Sequence, residues 1–206
     1  MKHEYISYKE EQILITHAES YRDCLRLIYS DFYRFSGSRV NLLKLFFYTF
    51  SNSAWSYVFW LRLTSYKNGW FWPFARFILY LLAEHTHVHI SYKCRIGYGL
   101  YIGHGIDMIV NPNAIIGNNV NLSQFLNIGS NSVNSAIIGN NVYIGPHVCI
   151  VGPVYIGSNV TIGAGSVVVK DIPQMATAVG NPCKPVNFDN PRKCIGNLWP
   201  LPEISN

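Results

Sequence analysis

A large apolar residue recurs at every sixth position in the second half of the chain. Six such positions follow one another without an error: Ile138, Ile144, Ile150, Ile156, Ile162 and Val168. A period of six fits neither the helical turn of about 3.6 residues nor the alternation of a single strand. It fits a short strand and a sharp corner, with one β-branched side chain pointing inward in each repeat. Three repeats close a triangular coil, so the pattern predicts a parallel β-helix that stacks Ile138 on Ile156, Ile144 on Ile162 and Ile150 on Val168.

The repeat also runs upstream, where it is interrupted twice. Its earlier members are Ile96, Ile102, Ile116, Leu122 and Ile128. The interval from Ile102 to Ile116 is 14 residues, two more than a pair of repeats. The interval from Ile128 to Ile138 is 10 residues, four more than one repeat. Solenoids accept insertions as loops at their corners, where binding residues collect. We therefore expect the chemistry at the first insertion, which contains His104 and Asp107, and at the second, residues 130–135.

The first 85 residues show a helical periodicity. Between residues 11 and 35 the apolar positions alternate steps of four and three, which places them on one face of an amphipathic helix: Leu14, Ala18, Tyr21, Leu25, Ile28 and Phe32. The run 36–38 (Ser-Gly-Ser) ends this helix. Residues 40–83 are apolar and aromatic with polar breaks, which predicts two or three short helices. Residues 1–85 are thus predicted to form a helical N-terminal region.

The aromatic segment is too short and too polar to be predicted as a membrane span. The 17 uncharged residues 45–61 include five Ser, Thr and Asn side chains. A span needs about 20 mainly apolar residues. Helices that pack on the β-helix and on neighbouring subunits are the favoured interpretation. The segment also resembles an interfacial anchor, which gives the hypothesis of peripheral membrane association: Trp55, Trp60, Trp70, Phe71 and Trp72 accompany Lys44, Arg62, Lys67 and Arg76.

Three histidines, His85, His87 and His89, lead into the first repeat. On a strand they would point to one side, as a row of metal ligands. We favour ordinary polar residues instead, because a metal site normally needs further ligands in matching geometry. No metal is expected.

The composition narrows the class of protein. Of 206 residues, 13% are charged and 15% aromatic, which leaves apolar surface for a partner. The net charge of +5 is spread along the chain, whereas nucleic-acid binding needs clustered Lys and Arg, so no nucleic-acid partner is expected. The five cysteines include no C-x-x-C pair, and the N-terminus lacks the apolar run of a signal peptide. We expect a cytoplasmic location, at the inner face of the membrane if the aromatic helices bind lipid.

The repeat region carries motifs of one enzyme family. Residues 95–104, RIGYGLYIGH, resemble the segment of serine acetyltransferases that ends in the catalytic histidine. Residues 162–168 and 180–184 resemble the closing coil and coenzyme A site of the same enzymes. The chain is therefore similar to the hexapeptide-repeat acyltransferases. This resemblance implies a mainly β fold, a left-handed parallel β-helix over residues 86–188, that works as a homotrimer. Residues 189–206 are expected to form an irregular tail.

The chain departs from the serine acetyltransferase motifs at three points. Those enzymes carry Asp immediately before the catalytic His, where this chain has Gly103. They carry an Arg-His pair in the later loop, where this chain has Val133 and Asn134. They place an Asp fifteen residues before the catalytic His, and that count lands on His89. The resemblance therefore favours the branch that acetylates sugars of capsule, O-antigen or exopolysaccharide, with acetyl-CoA as co-substrate and a saccharide as acceptor.

Acetyl transfer to a hydroxyl needs a base, donors for the oxyanion and two substrates held together. Histidine suits the first task because its pKa lies near the operating pH. His104, at the first insertion, is the predicted general base, and His147 is its rival. The ring of a base must be oriented by an acceptor, for which His89, Glu84, Asp107 and a main-chain carbonyl stay open.

The resemblance implies roles for further residues. Main-chain N–H groups around Gly129 and Ser130 would meet the oxyanion, and Gln124 and Asn134 belong to the acceptor region. The residues expected to bind coenzyme A are Gly145, Pro146, Ala164 and Gly165, with Lys170 and Lys184 for its phosphates.

Three alternatives to a sugar O-acetyltransferase stay open. Serine acetyltransferase is disfavoured by the three departures. A γ-type carbonic anhydrase shares the β-helix and binds zinc through histidines, but the closing coil resembles an acyltransferase. A non-catalytic solenoid scaffold is the last.

Overall fold

The structure, a computed structural model, describes residues 1–189, 192 and 194–200. Within these residues the helices are α1 (Tyr21–Ser36), α2 (Leu42–Tyr48), α3 (Ser53–Leu63) and α4 (Trp72–Thr86). Two longer strands, β1 (Lys2–Tyr8) and β2 (Glu11–His17), form an antiparallel hairpin. The shorter strands are β3 (Val88–Ile90), β4 (Arg95–Ile96), β5 (Tyr101–Ile102), β6 (Met108–Val110), β7 (Ile115–Ile116), β8 (Asn121–Leu122), β9 (Asn127–Gly129), β10 (Ile137–Ile138), β11 (Tyr143–Ile144), β12 (Cys149–Val151), β13 (Tyr155–Ile156), β14 (Thr161–Ile162), β15 (Val167–Val168), β16 (Thr177–Val179) and β17 (Lys184–Asn187).

The short strands wind a left-handed parallel β-helix of about five turns, as predicted. Its first face consists of β3, β6, β9, β12 and β15, and its second of β4, β7, β10 and β13. The third consists of β5, β8, β11, β14 and β16, and β17 closes it by pairing antiparallel to β16. The stacked pairs expected from the repeat are all present: Ile138 on Ile156, Ile144 on Ile162 and Ile150 on Val168. These six side chains are 0% exposed, so the repeat itself builds the core.

The corner between the second and third faces is a ladder of asparagines. One residue per coil there adopts a left-handed conformation, three positions before an inward residue: Gly99, Asn119, Asn141, Asn159 and Met175. Asn tolerates this conformation because its short amide can bond locally. Asn119 Nδ2 donates to Asn141 Oδ1 at 3.3 Å, and Asn141 Nδ2 donates to Asn159 Oδ1 at 3.0 Å. The amides thus hold successive coils in register.

Residues 11–20 do not begin a helix, contrary to the prediction. Glu11–His17 form β2, in which Ile13, Ile15 and Thr16 are β-branched and so favour a strand. Helix α1 begins only at Tyr21, after Ser20, whose Oγ accepts the N–H of Asp23 at 3.2 Å. Leu14 and Ala18, which precede the N-cap at Ser20, therefore match the helical spacing of α1 only by coincidence.

The hairpin is stable as strands because it covers the second face of the β-helix. Ile13 and Ile15 pack against Ile115 and Tyr155, which point outward from that face. The ring of Tyr8 stacks on Tyr155 with centroids 4.3 Å apart. An apolar face that would otherwise meet water is thus buried by the chain itself.

Three short helices follow α1, as predicted for residues 40–83. Helix α1 ends at Ser36, and Gly37 caps it in the left-handed conformation with φ 67°. None of the helices in the described ranges combines the length and hydropathy of a membrane span. In the described part of the tail there is no helix or strand, and Trp199 N–H donates to Asn119 Oδ1 at 2.9 Å. The rest of the predicted tail, residues 190, 191, 193 and 201–206, lies outside the described residues.

A buried ion pair joins the helices to the first coil. Arg62 of α3 donates from Nε and Nη2 to the two carboxylate oxygens of Asp31 in α1, at 2.6 and 3.0 Å. The guanidinium also donates to the carbonyls of Ile96 and Gly97. Asp31 in turn accepts the N–H of Leu100 at 2.7 Å. Complete burial raises the pKa of the Asp31 carboxyl, while Arg62 acts in the opposite direction. Each of these two buried charges is therefore compensated by the other.

Replacing Asp31 by alanine should lower the free energy of unfolding by about 3–5 kcal/mol, because it leaves the Arg62 guanidinium buried without its carboxylate. Chemical denaturation followed by circular dichroism measures the loss. Glu10→Gln, at the exposed hairpin turn, is the matched control and should change the midpoint little. The apolar pair Asp31→Leu/Arg62→Met should recover most of the loss. A single variant as stable as the parent would contradict the role given to this pair.

Candidate active site

The corner between the third and first faces, the histidine corner, comprises residue 87 and residues 103–107, 123–126, 145–148 and 163–166. One residue per coil adopts a left-handed conformation there, three positions before an inward residue of the first face: His87, Asp107, Phe125, His147 and Gly165. Their φ angles lie between 47° and 69°. Because neighbouring strands lie about 4.8 Å apart, these residues form a column along one edge of the β-helix.

His104 lies in the insertion that enlarges this corner. Its ring is exposed, and its backbone is left-handed with φ 64°, which is uncommon for a residue with a side chain. The loop is held from behind by α3, because a Cβ added at Gly105 would lie 2.5 Å from Ala54 Cα. Among the described residues, no hydrogen bond to the His104 ring is found. The fold thus presents this imidazole to solvent on a fixed backbone.

Asp107 bonds to a histidine of the preceding coil. Nδ1 of His87 lies 3.1 Å from Oδ1 of Asp107, and both side chains are exposed. The backbone supports the pair, since Asp107 N–H donates to the Thr86 carbonyl at 3.0 Å. Asp107 thus bonds to His87 and not to His104. A role for Asp107 or His89 in orienting the His104 ring stays a prediction.

His85, His87 and His89 do not share a strand. His85 belongs to the last turn of α4, His87 caps that helix in the left-handed conformation, and His89 lies on β3. They therefore do not form a row on one side. Over the described ranges, no group of three or more His, Cys, Asp or Glu side chains is placed to hold a metal.

The coils that follow His104 extend the same corner. The rings of Phe125 and His147 stack with centroids 4.4 Å apart and planes 14° apart. His147 N–H donates to the Gln124 carbonyl at 3.1 Å, and Gly165 N–H donates to the Pro146 carbonyl at 2.9 Å. The corner therefore brings together His104 and five of the residues predicted for acceptor and coenzyme: Gln124, Gly145, Pro146, Ala164 and Gly165.

The end of this corner has room for a ligand against the backbone. Ala164 and Gly165 are exposed, and a Cβ added at Gly165 would meet nothing within 4 Å. Gly165 also has a φ of 69°, which a residue without a Cβ adopts at no steric cost. These features fit the coenzyme A that Ala164 and Gly165 are predicted to bind.

The sequence reasoning missed that Asp107, Phe125 and His147 share one column. The signal was present in the repeat, because each of them precedes an inward residue of the first face by three positions. Counting positions relative to one face, rather than to the nearest repeat, would have found the set.

The second insertion lies at the corner between the first and second faces, the loop corner (residues 91–94, 111–114, 130–136, 152–154 and 169–171). Ser130 Oγ donates to the Asn134 carbonyl at 2.6 Å and accepts the Ser132 N–H at 3.1 Å. These contacts fold the loop on itself. Gly129 and Ser130 line a cavity of about 450 Å³ together with Val151, Gly152 and Pro153.

The two corners lie at opposite edges of the first face. The strands between them have two or three residues, so about 10 Å separates the edges. One chain therefore does not bring His104 to Gly129 and Ser130. His89 lies between them, exposed on β3 beside Ile109.

The two predicted phosphate-binding lysines are also separated. Lys170 follows β15 and so lies at the loop corner, whereas Lys184 pairs with Val179 where the third face meets the histidine corner. Only Lys184 is thus near the exposed backbone of Ala164 and Gly165.

Burial argues against three of the cysteines as nucleophiles. It raises the pKa of Cys24 to about 11 and that of Cys94 to about 12, and it raises the pKa of Cys183 as well. A thiol must ionise to attack, so burial makes these three side chains poorer nucleophiles near neutral pH.

Comparison with models of known protein families identifies the type of repeat. The model of the bacterial transferase hexapeptide (six repeats) matches residues 135–170. This match supports the hexapeptide-repeat fold that the stacked strands show.

The chain is also similar to serine acetyltransferases. It is 37% identical to that of Synechococcus elongatus over 101 residues, which are 47% of this chain and 41% of that enzyme. It is 29% identical to that of Staphylococcus aureus over 175 residues, 83% of this chain and 79% of that enzyme. The crystal structure of the Neisseria gonorrhoeae enzyme in complex with serine superposes with a TM-score of 0.63 and 27% identity, covering 81% of this chain and 69% of that one. These comparisons support the resemblance to serine acetyltransferases and do not support the one to sugar acetyltransferases.

Gly145→Ala should destabilise the histidine corner, because the added Cβ would lie 2.8 Å from the backbone N of Ala164. Overpacking of this kind costs about 1–3 kcal/mol. Gly129→Ala is the matched control, since it also follows an inward residue but its Cβ would meet only Asn127 Oδ1, at 3.4 Å. Thermal denaturation of both variants measures the difference. An equal loss in the two would contradict the tight corner.

Proposed function

We propose that the chain is an acetyl-CoA-dependent O-acetyltransferase. The observation that carries this proposal is the exposed imidazole of His104, fixed on a left-handed corner of a hexapeptide β-helix. The similarity to serine acetyltransferases along most of the chain supports it.

In this mechanism His104 accepts the proton of the acceptor hydroxyl as its oxygen attacks the thioester carbonyl. The carbon–oxygen bond forms, and the carbonyl electrons move to an oxyanion that main-chain donors near Gly129 and Ser130 stabilise. The tetrahedral intermediate then collapses and the carbon–sulfur bond breaks. The thiolate of coenzyme A takes the proton back from the imidazolium, so the base is regenerated.

A second copy of the chain completes this site. His104 and Ser130 lie at opposite edges of the first face, so a neighbour must supply one of them. The apolar side chains exposed along this face and its corners fit a contact with another copy: Ile106, Ile109, Phe125 and Val151. The second face is already covered by the hairpin. A homotrimer, typical of hexapeptide-repeat proteins, would close such contacts in a ring.

L-serine is the acceptor that the relatives favour. The compared enzymes are serine acetyltransferases, and the Neisseria gonorrhoeae enzyme was solved with serine bound. The chain covers less than half of the Synechococcus elongatus enzyme. Similarity to that enzyme therefore does not by itself establish that this chain acetylates L-serine.

A saccharide hydroxyl is the acceptor that the loop corner favours. The second insertion, 130–135, contains no charged side chain, and its Val133 is 85% exposed. An amino-acid carboxylate is best held by a guanidinium fork, which the loop itself lacks. The Arg95 guanidinium lines a cavity with Val133 and Asn134, but it already donates to Glu4 Oε1 at 3.0 Å. The neutral hydroxyl and amide groups of Ser130, Ser132 and Asn134 suit a polyhydroxyl ligand.

Thiol release from acetyl-CoA in the presence of L-serine or a panel of saccharides should identify the acceptor. Mass spectrometry of the products should show the gain of one acetyl group. Turnover of L-serine supports the first acceptor, and turnover of a sugar alone supports the second. If no acceptor gives thiol release, the scaffold alternative replaces the enzyme.

His104→Ala should lower kcat/KM for the active acceptor by about 10²–10⁴-fold, the usual effect of losing a general base. The thiol-release assay measures it. His85→Ala is the matched control, because this exposed ring lies at the end of α4 outside both corners. A His104 variant that keeps the parent rate would reject the assignment.

A further inference from the structure

An apolar surface on helices α2 and α4 is not used by the candidate active site. The exposed fraction is 64% for Phe47, 75% for Phe50, 85% for Trp70 and 57% for Phe77. We define the aromatic face as the exposed Leu, Phe and Trp side chains of these helices and their flanking turns: Leu42, Leu43, Phe46, Phe47, Phe50, Trp70, Phe74, Phe77 and Leu81. Contiguous apolar surface of this kind marks a contact with another molecule or with lipid.

Helix α4 has an exposed apolar side and a buried apolar side. Its exposed residues Phe74, Phe77 and Leu81 are spaced by three and four, so they form one stripe. The buried Ala75 and Leu79 lie on the other side. Helix α2 buries a single residue, Leu45. Both helices therefore turn most of their apolar area away from the core.

The two helices are joined by a chain of aromatic ring contacts that runs through Phe59 and Trp60 of α3, of which Phe59 is buried. The Phe46 ring lies 5.4 Å from that of Phe50 and 6.3 Å from that of Phe59. Phe59 contacts Trp60 at 5.7 Å, and Trp60 contacts Phe74 at 6.0 Å, all between centroids. The exposed rings of α2 and α4 are thus linked rather than scattered.

The charge around this face is mainly positive, with one exposed carboxylate, that of Glu84, near the end of α4. No Asp or Glu occurs in residues 32–83, which contain six Lys and Arg. Four of these basic side chains reach the surface: Arg39, Lys44, Lys67 and Arg76. Arg76 and Lys67 lie over the Tyr92 ring, at 4.3 and 5.6 Å from its centroid, beside the start of α4. The apolar side chains therefore have a positive rim.

We propose that the aromatic face docks on the surface of a bilayer that contains anionic lipids. Exposed Trp and Phe side chains would enter the boundary between headgroups and acyl chains, and the basic rim would meet lipid phosphates. A second copy of the chain fits less well, because a symmetric contact would bring the basic side chains of both copies together with only Glu84 of each copy to pair them. The face lies on the helical layer whose α3 holds the His104 loop, so docking would set the candidate active site beside the membrane.

Sedimentation of the full chain with vesicles tests this proposal. Phosphatidylcholine vesicles containing phosphatidylglycerol should carry the protein into the pellet at low salt. Pure phosphatidylcholine vesicles should carry at least about tenfold less protein, because they lack the anionic headgroups that attract the basic side chains. High salt should release the protein, since it screens this attraction.

Two variants separate the parts of the face. Phe47→Ser/Trp70→Ser should lower the partition coefficient by at least about tenfold, because both rings lose their burial in lipid. Lys44→Glu/Lys67→Glu should abolish the preference for anionic vesicles. Phe188→Ser is the matched control, since this ring is 54% exposed but lies beyond β17, and it should bind like the parent.

Other outcomes overturn the proposal. A parent protein left in the supernatant with both vesicle types at low salt excludes membrane docking. If light scattering without vesicles shows that Phe47→Ser/Trp70→Ser lowers the molecular mass while vesicle binding is unchanged, the face joins copies of the chain instead. Neither readout depends on acetyl transfer.

Discussion

The structure depends on the stacking of one inward side chain on the next, coil after coil. A β-helix buries little in any single turn, so each coil is stable only on its neighbours. Inward residues such as Ile144 and Ile162 exclude water completely, and strand hydrogen bonds fix their register. This constraint places every corner position above the equivalent position of the coil before it. Residues far apart in the chain therefore form columns, and a function can be built from one residue per coil.

The histidine corner shows how the constraint creates a site. Asp107, Phe125 and His147 contact their neighbours because each holds the same left-handed position in its coil. His104 differs, since the two-residue insertion places it outside the column. Gly105 of its loop packs against Ala54 of α3, so the helical layer fixes the position of the loop that carries the imidazole. The buried pair of Asp31 and Arg62 fixes that layer to the first coil, and thereby links the helices to the chemistry.

Each surface of the β-helix has a different use. The hairpin covers the second face, and part of the C-terminal tail bonds to the asparagine corner. The first face keeps exposed apolar residues and has a predicted half-site at each edge. The helical layer carries the aromatic face. Contact between copies and contact with lipid would thus occupy separate surfaces, so the molecule can make both at once.

The sequence by itself determined the coils, because an inward residue at every sixth position is a local property of the chain. It predicted the stacked pairs, the corner insertions and two or three short helices over residues 40–83, where the structure has three. Only the tertiary structure decided that residues 11–17 form a strand, since Ile13 and Ile15 are stabilised by an outward face that the repeat does not reveal. It alone separated Gly129 and Ser130 from His104. A linear count gives the length of an insertion, but the corner it occupies depends on how three faces close around a common core.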